Sequence, residues 1–124
     1  MRVLVVDDSA AMRRLIVRAL QRLGFADCLE AADGREALDR FDASVGLVIT
    51  DRHMANLDGL DLARALRARV DGGRTVPILM VVPRVGPGDL AGALRAGVSG
   101  CIVKPFTVPA LKARIDALLA PAAP

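Results

Sequence analysis

MRVLVVDDS, residues 1–9, decides the fold. Val3, Leu4, Val5 and Val6 follow one another without a polar break and then stop on two carboxylates, Asp7 and Asp8. A strand buried on both faces reads as a continuous apolar run, which marks a parallel sheet covered by helices. The pattern returns in GLVITD, residues 46–51, ending on Asp51, and in CIVKPF, residues 101–106, where the apolar run stops on Lys104. In open α/β sheets, ligands bind outside the carboxyl ends of the strands, where strand order reverses. Three carboxylates and one ammonium at such ends describe a site for a divalent cation and a phosphoryl group.

Strand and helix signals alternate outward from these runs along the whole chain. Strands are read at residues 2–6, 28–31, 46–50, 77–82 and 101–103, and helices at 10–23, 34–41, 59–68 and 89–96, with a last helix after Thr107. Gly24 stops the first helix, and Asp33-Gly-Arg-Glu36 is a capping box for the second. Gly92 weakens the fourth, while Thr107 caps the fifth with Pro109 tolerated in its first turn. Five βα units with short links give a doubly wound α/β sheet with helices on both faces. The chain is read as one domain over residues 1–120, with a short Pro/Ala tail at 121–124 and no output domain.

The bulk composition agrees with a compact domain. At 124 residues, roughly two-thirds of the unfolded surface can be buried in a single core. With no Trp or Tyr and only three Phe, that core must be built from Val, Leu, Ile and Ala. No apolar run approaches the ~20 residues that span a bilayer, so a cytoplasmic protein without membrane insertion is expected. Cys28 and Cys101 lack the spacing of a zinc site or a disulfide framework and read as small apolar strand residues. The net charge of +3 is almost all arginine, and Arg14, Arg18 and Arg22 recur at four-residue spacing on the first helix. No recognition helix or aromatic platform accompanies them, so nucleic acid is not the expected partner. A solvated face fits better, or a docking surface for an acidic protein.

Each charged group has a plain role when taken singly: Asp7-Asp8 as a helix cap, Asp51 as a turn, Lys104 as a surface lysine. Together they suggest chemistry. A carboxylate such as Asp51 becomes a nucleophile if a cation neutralises both it and the incoming phosphate. Asp7 and Asp8 supply hard oxygen ligands of the kind Mg²⁺ or Mn²⁺ prefers. Lys104 can balance phosphoryl charge, and Pro105 after it holds its backbone extended.

The chain resembles the receiver domain of two-component response regulators, most closely the single-domain chemotaxis type. The resemblance rests on VVDDSAAMRRLI, EAADGREAL, LVITD with Met54 and Asp58-Gly59, PILMVV and AGVSGCIVKPF, which cover the full length. It implies a flavodoxin-like five-stranded parallel sheet of order 2-1-3-4-5 with five helices. Asp51 is then the phosphoacceptor, served by a sensor histidine kinase or a histidine phosphotransfer protein. Asp8, Asp51 and the backbone carbonyl of His53 bind Mg²⁺, Asp7 helps through water, Lys104 contacts the phosphoryl group, and Lys104–Pro105 is cis. A protein target is implied on the face formed by the fourth helix, fifth strand and fifth helix.

The departures from the family pattern matter as much. Val82 stands where a Thr or Ser usually donates a hydrogen bond to the phosphoryl group, and Cys101 where an aromatic ring usually turns inward. A hydrogen bond to a charged group is worth about 1.5–3 kcal/mol. Its loss cuts the bias between two states by roughly 10–150-fold. His53 and Arg84 are candidate rim residues that modulate water access and phosphoryl lifetime, or ordinary exposed loop residues. Three functional classes follow. The first is a phosphoacceptor signalling module with an atypical switch and no enzymatic activity beyond autodephosphorylation. The second is a phosphate sink or phosphorylation-independent pseudo-receiver. The third, remote, is an aspartate-nucleophile phosphohydrolase of the haloacid-dehalogenase type, disfavoured because that family carries a DxD motif and a cap domain.

Overall fold

The computed structural model describes residues 1–120, so the Pro/Ala stretch at 121–124 lies outside the described residues. The elements are β1 Arg2–Val6, α1 Ala10–Arg22, β2 Asp27–Ala31, α2 Gly34–Arg40, β3 Val45–Asp51, α3 Gly59–Arg67, β4 Ile78–Val82, α4 Asp89–Ala96, β5 Gly100–Val103 and α5 Val108–Leu119. Every element read from the sequence is present, with ends displaced by a residue or so. The five strands pair in parallel in the order β2-β1-β3-β4-β5. Order reverses between β1 and β3, whose ends carry Asp7, Asp8 and Asp51. No helix among the described residues is long and apolar enough to cross a membrane.

Strand parity divides the core. Val3, Val5, Leu47, Ile49, Leu79, Val81 and Ile102 pack with Ile16 and Leu20 of α1 and with Leu111 and Ile115 of α5. The alternate residues Leu4, Val6, Val48, Ile78, Met80, Val82 and Cys101 pack with Leu62 and Leu66 of α3 and Ala93 of α4. Successive side chains on a strand point to opposite faces, so apolar residues at every position need a helical layer on each side. Cys28 and Cys101 are both free and sit on the two edge strands, which rules out their pairing within this fold.

The helix starts are set locally. Ser9, Asp33, Asp58 and Thr107 each accept a backbone N–H three residues on, from Met12, Glu36, Asp61 and Ala110 respectively. α4 is the exception: its N-cap is Gly88, without a side-chain hydrogen bond. Arg67 ties the α3 end to the chain around it, donating to the carbonyls of Gly97 at 2.7 Å, Gly73 at 2.9 Å and Val76 at 2.6 Å.

Candidate functional site

The carboxyl ends of β1, β3 and β5 bring Asp7, Asp8, Asp51 and Lys104 together. Ligand oxygens of the three carboxylates lie within 4.8 Å of one another. Lys104 Nζ stands 3.6 Å from Asp51 Oδ1, beyond hydrogen-bond length but within ion-pair range. The Lys104 N–H donates to the Val82 carbonyl at 2.9 Å, which aligns the β5 and β4 ends. The Lys104–Pro105 bond is cis.

The three carboxylates differ in environment. Asp8 is exposed, whereas Asp7 retains 1% and Asp51 8% of its accessible surface. Asp7 Oδ1 accepts the Ser9 N–H at 2.8 Å, while Oδ2 is buried without a hydrogen-bond partner. Burial pushes the Asp7 carboxyl above its ordinary range; the Ser9 N–H opposes this, the Asp51 carboxylate adds to it, Lys104 opposes it and Asp8 adds to it. An unsatisfied buried carboxylate oxygen among two other carboxylates is unfavourable unless a cation or a water joins it. The donor set is all oxygen, which fits a hard divalent ion.

The β3–α3 loop is held from two sides. Gly59 N–H donates to the Arg52 carbonyl at 2.8 Å, and a Cβ at Gly59 would lie 2.4 Å from the Asp51 carbonyl oxygen. Only glycine permits that approach. Asn56, in left-handed conformation at φ 68°, donates its side-chain amide to Asp33 Oδ2 at 2.8 Å. Asp51 itself is oriented by the Arg52 N–H, which donates to Oδ1 at 2.8 Å. His53 and Arg84 are exposed and line one small cavity of about 250 Å³ with Arg52, Val82, Pro83 and Asp89.

Comparison with known proteins decides the family. Residues 3–116 match the response regulator receiver domain. The chain belongs to that family. The receiver is 43% identical over 121 residues to chemotaxis protein CheY1 of Helicobacter pylori strain J99, covering 96% of this chain and 97% of that protein. It is also 43% identical to the chemotaxis protein CheY homolog of Campylobacter jejuni strain 81-176, covering 96% and 92%. Among solved structures, Vibrio cholerae CheY4 superposes with a TM-score of 0.86 at 31% identity, covering 95% of this chain and 98% of that one. The receiver domain of the Pseudomonas aeruginosa PAO1 sensor histidine kinase PA1611 does so at 0.84 and 27%, covering 97% and 98%; its structure holds a magnesium ion coordinated in the active-site cleft. This receiver is therefore CheY-like and of the chemotaxis type, with the flavodoxin-like fold of its relatives.

Two site features of the receiver escaped the sequence. Arg13, outside the four-residue stripe, donates Nη1 to the Asp7 carbonyl at 2.6 Å and Nε to Glu30 at 3.1 Å, pinning the β1 end to β2. Its position beside Arg14 in an arginine-rich helix gave no signal of this. Arg52 orients Asp51 through its backbone N–H, a role that residue type does not signal. Val82 retains 3% of its surface and Cys101 9%, and both belong to one apolar cluster with Met80 and Ala93. The two departures from the family pattern thus lie in the same packed layer, beneath α4.

Proposed function

We propose that this receiver accepts a phosphoryl group on Asp51 from a histidine kinase or phosphotransfer protein and signals by docking to a protein target. The observation that carries this is Lys104 at 3.6 Å from Asp51, beside three clustered carboxylates at the switch point of a receiver sheet. Asp51 Oδ1 is engaged by the Arg52 N–H and faces Lys104, so Oδ2 is the oxygen left to attack phosphorus. Attack forms the Oδ2–P bond as the P–N bond to the donor imidazole breaks and the imidazole keeps the electron pair. Asp8, Asp51 and the His53 carbonyl would hold Mg²⁺ or Mn²⁺, with Asp7 acting through water. Bound there, the ion would supply charge neutralisation between the nucleophile and the incoming phosphate. Lys104 balances charge on the transferred group.

The switch is atypical. Val82 offers no hydroxyl to the phosphoryl group and Cys101 no ring to turn, and both are already packed. That packing supports a weak read-out, and with it a second use as a phosphate sink or as a module that binds regardless of phosphorylation. Exposed Leu90, Leu94 and Val103 on the α4-β5-α5 face support that face as the target surface. The signalling reading is separated from a phosphohydrolase by turnover of a generic phosphomonoester, which should be absent. The acceptor is tested with acetyl phosphate and Mg²⁺ followed by intact mass. One phosphoryl mass should be added, and Asp51→Asn should abolish it. Labelling of another residue would overturn the assignment.

A further inference from the structure

A second cavity, of about 320 Å³, opens between α3 and α4 and is lined by three arginines from different elements: Arg52, Arg64 and Arg95. The carboxylate in its wall, Asp89, is engaged by the Gly86 N–H at 2.7 Å. Arg64 spends one donor on Asp61 at 3.0 Å, while Arg52 and Arg95 make no ion pair among the described residues. The lining thus sets three guanidinium groups against one carboxylate, an excess of positive charge that an anion would offset.

The α4 wall is bare backbone at Gly92. A Cβ there would meet only Arg95 Nη2, at 3.9 Å, so packing does not demand glycine. Glycine weakens a helix interior, and here it leaves open the space over which Arg95 folds. The α4 N-cap beside it, Gly88, makes no side-chain hydrogen bond; the Asp89 N–H donates to the Gly86 carbonyl at 3.1 Å, and the Asp89 carboxylate stands at the positive end of the helix dipole. Guanidinium forks match phosphate oxygens in pairs, and the volume suits a small anion.

We propose that the cavity between α3 and α4 binds a small phosphate-bearing anion, held by Arg52, Arg64 and Arg95. This site is distinct from the phosphoacceptor end and is joined to it through Arg52. It does not depend on phosphorylation of Asp51.

The test titrates pyrophosphate into the metal-free full chain at constant ionic strength, read by backbone amide and arginine Nε spectra. Saturable shifts should centre on residues 88–96 and on the three arginines. R64A and R95A should each weaken binding by about tenfold, the loss of one charge-assisted contact. G92E, which puts a carboxylate into the cavity, should abolish it, and R14A, which removes an exposed arginine on α1, should leave it unchanged. A parallel titration with adenosine diphosphate tells a phosphate ester from the free anion; either one centred on these residues supports the site. Shifts centred on residues 7–9, 51 and 104, non-saturable shifts, or affinity unchanged in R64A, R95A and G92E would overturn it.

Discussion

Replacing Val82 by Thr is the sharpest probe of the read-out, because it restores a single hydroxyl with almost no change of shape. Val82 ends β4, is all but buried, and lies in the layer shared by Met80, Ala93 and Cys101. Without a phosphoryl group nearby, a hydroxyl there is desolvated, so Val82→Thr should destabilise the resting protein by about 1–2 kcal/mol. With a beryllofluoride phosphoryl mimic on Asp51, the same hydroxyl gains a charged acceptor, worth about 1.5–3 kcal/mol. The assay is urea unfolding in Mg²⁺ with and without the mimic, for both proteins. The stabilisation produced by the mimic should be larger in Val82→Thr by about that 1.5–3 kcal/mol, and absent in Asp51→Asn. Amide spectra should show the mimic moving residues 83–96 only slightly in the native sequence, and α4 with β5 strongly in Val82→Thr. Arg84→Ala should reduce the small native response if, as proposed, this exposed cation beside Val82 replaces the missing hydroxyl as a donor to the phosphoryl oxygens. Equal stabilisation in both proteins, or large native shifts on α4 and β5 that survive Arg84→Ala, would refute the missing-hydroxyl account.

Three further outcomes follow from the site and its supports. Mg²⁺ affinity measured by titration should fall more in Asp8→Ala than in Asp7→Ala, because the proposed site gives Asp8 the direct contact and Asp7 one through water; equal losses would contradict that order. Burial raises the Asp7 carboxyl, so its neutral form suits the fold, and the associated stability is full below the unfolded pKa and lost as pH rises through the folded one. In chelator, Asp7→Asn should therefore be more stable than the native protein at pH 7, with the gain shrinking as pH falls toward the carboxylate range; a pH-independent difference in urea midpoint would count against this. Arg67→Ala strips donors from the carbonyls of Gly73, Val76 and Gly97, and should cost about 2–4 kcal/mol in urea unfolding while leaving Asp51 phosphorylation by acetyl phosphate in place.

The sequence by itself determined the elements and the ingredients of the site. Val3–Val6, Leu47–Thr50 and Ile78–Val82 are apolar at almost every position because both faces of the sheet are covered, and that pattern is local. Asp33 and Thr107 announce their helices because a cap acts within three residues. Asp7, Asp8, Asp51 and Lys104 were legible because each interrupts such a strand at its carboxyl end. The strand order came from family resemblance and was settled by pairing across the sheet, which no local pattern encodes.

Only the tertiary structure decided what the long cations do. Arg13 and Arg14 are neighbours in sequence, yet Arg13 reaches the Asp7 carbonyl while Arg14 stays exposed. Arg67 and Arg64 share one helix, yet Arg67 is drawn into three carbonyls and Arg64 faces a cavity. The partners of Arg13 and Arg67 lie 6 to 32 residues away. A flexible guanidinium finds them only after the sheet has brought distant segments together. The orphaned oxygen of Asp7 likewise belongs to the fold, which buries it and brings Asp51 and Lys104 from other strand ends near it.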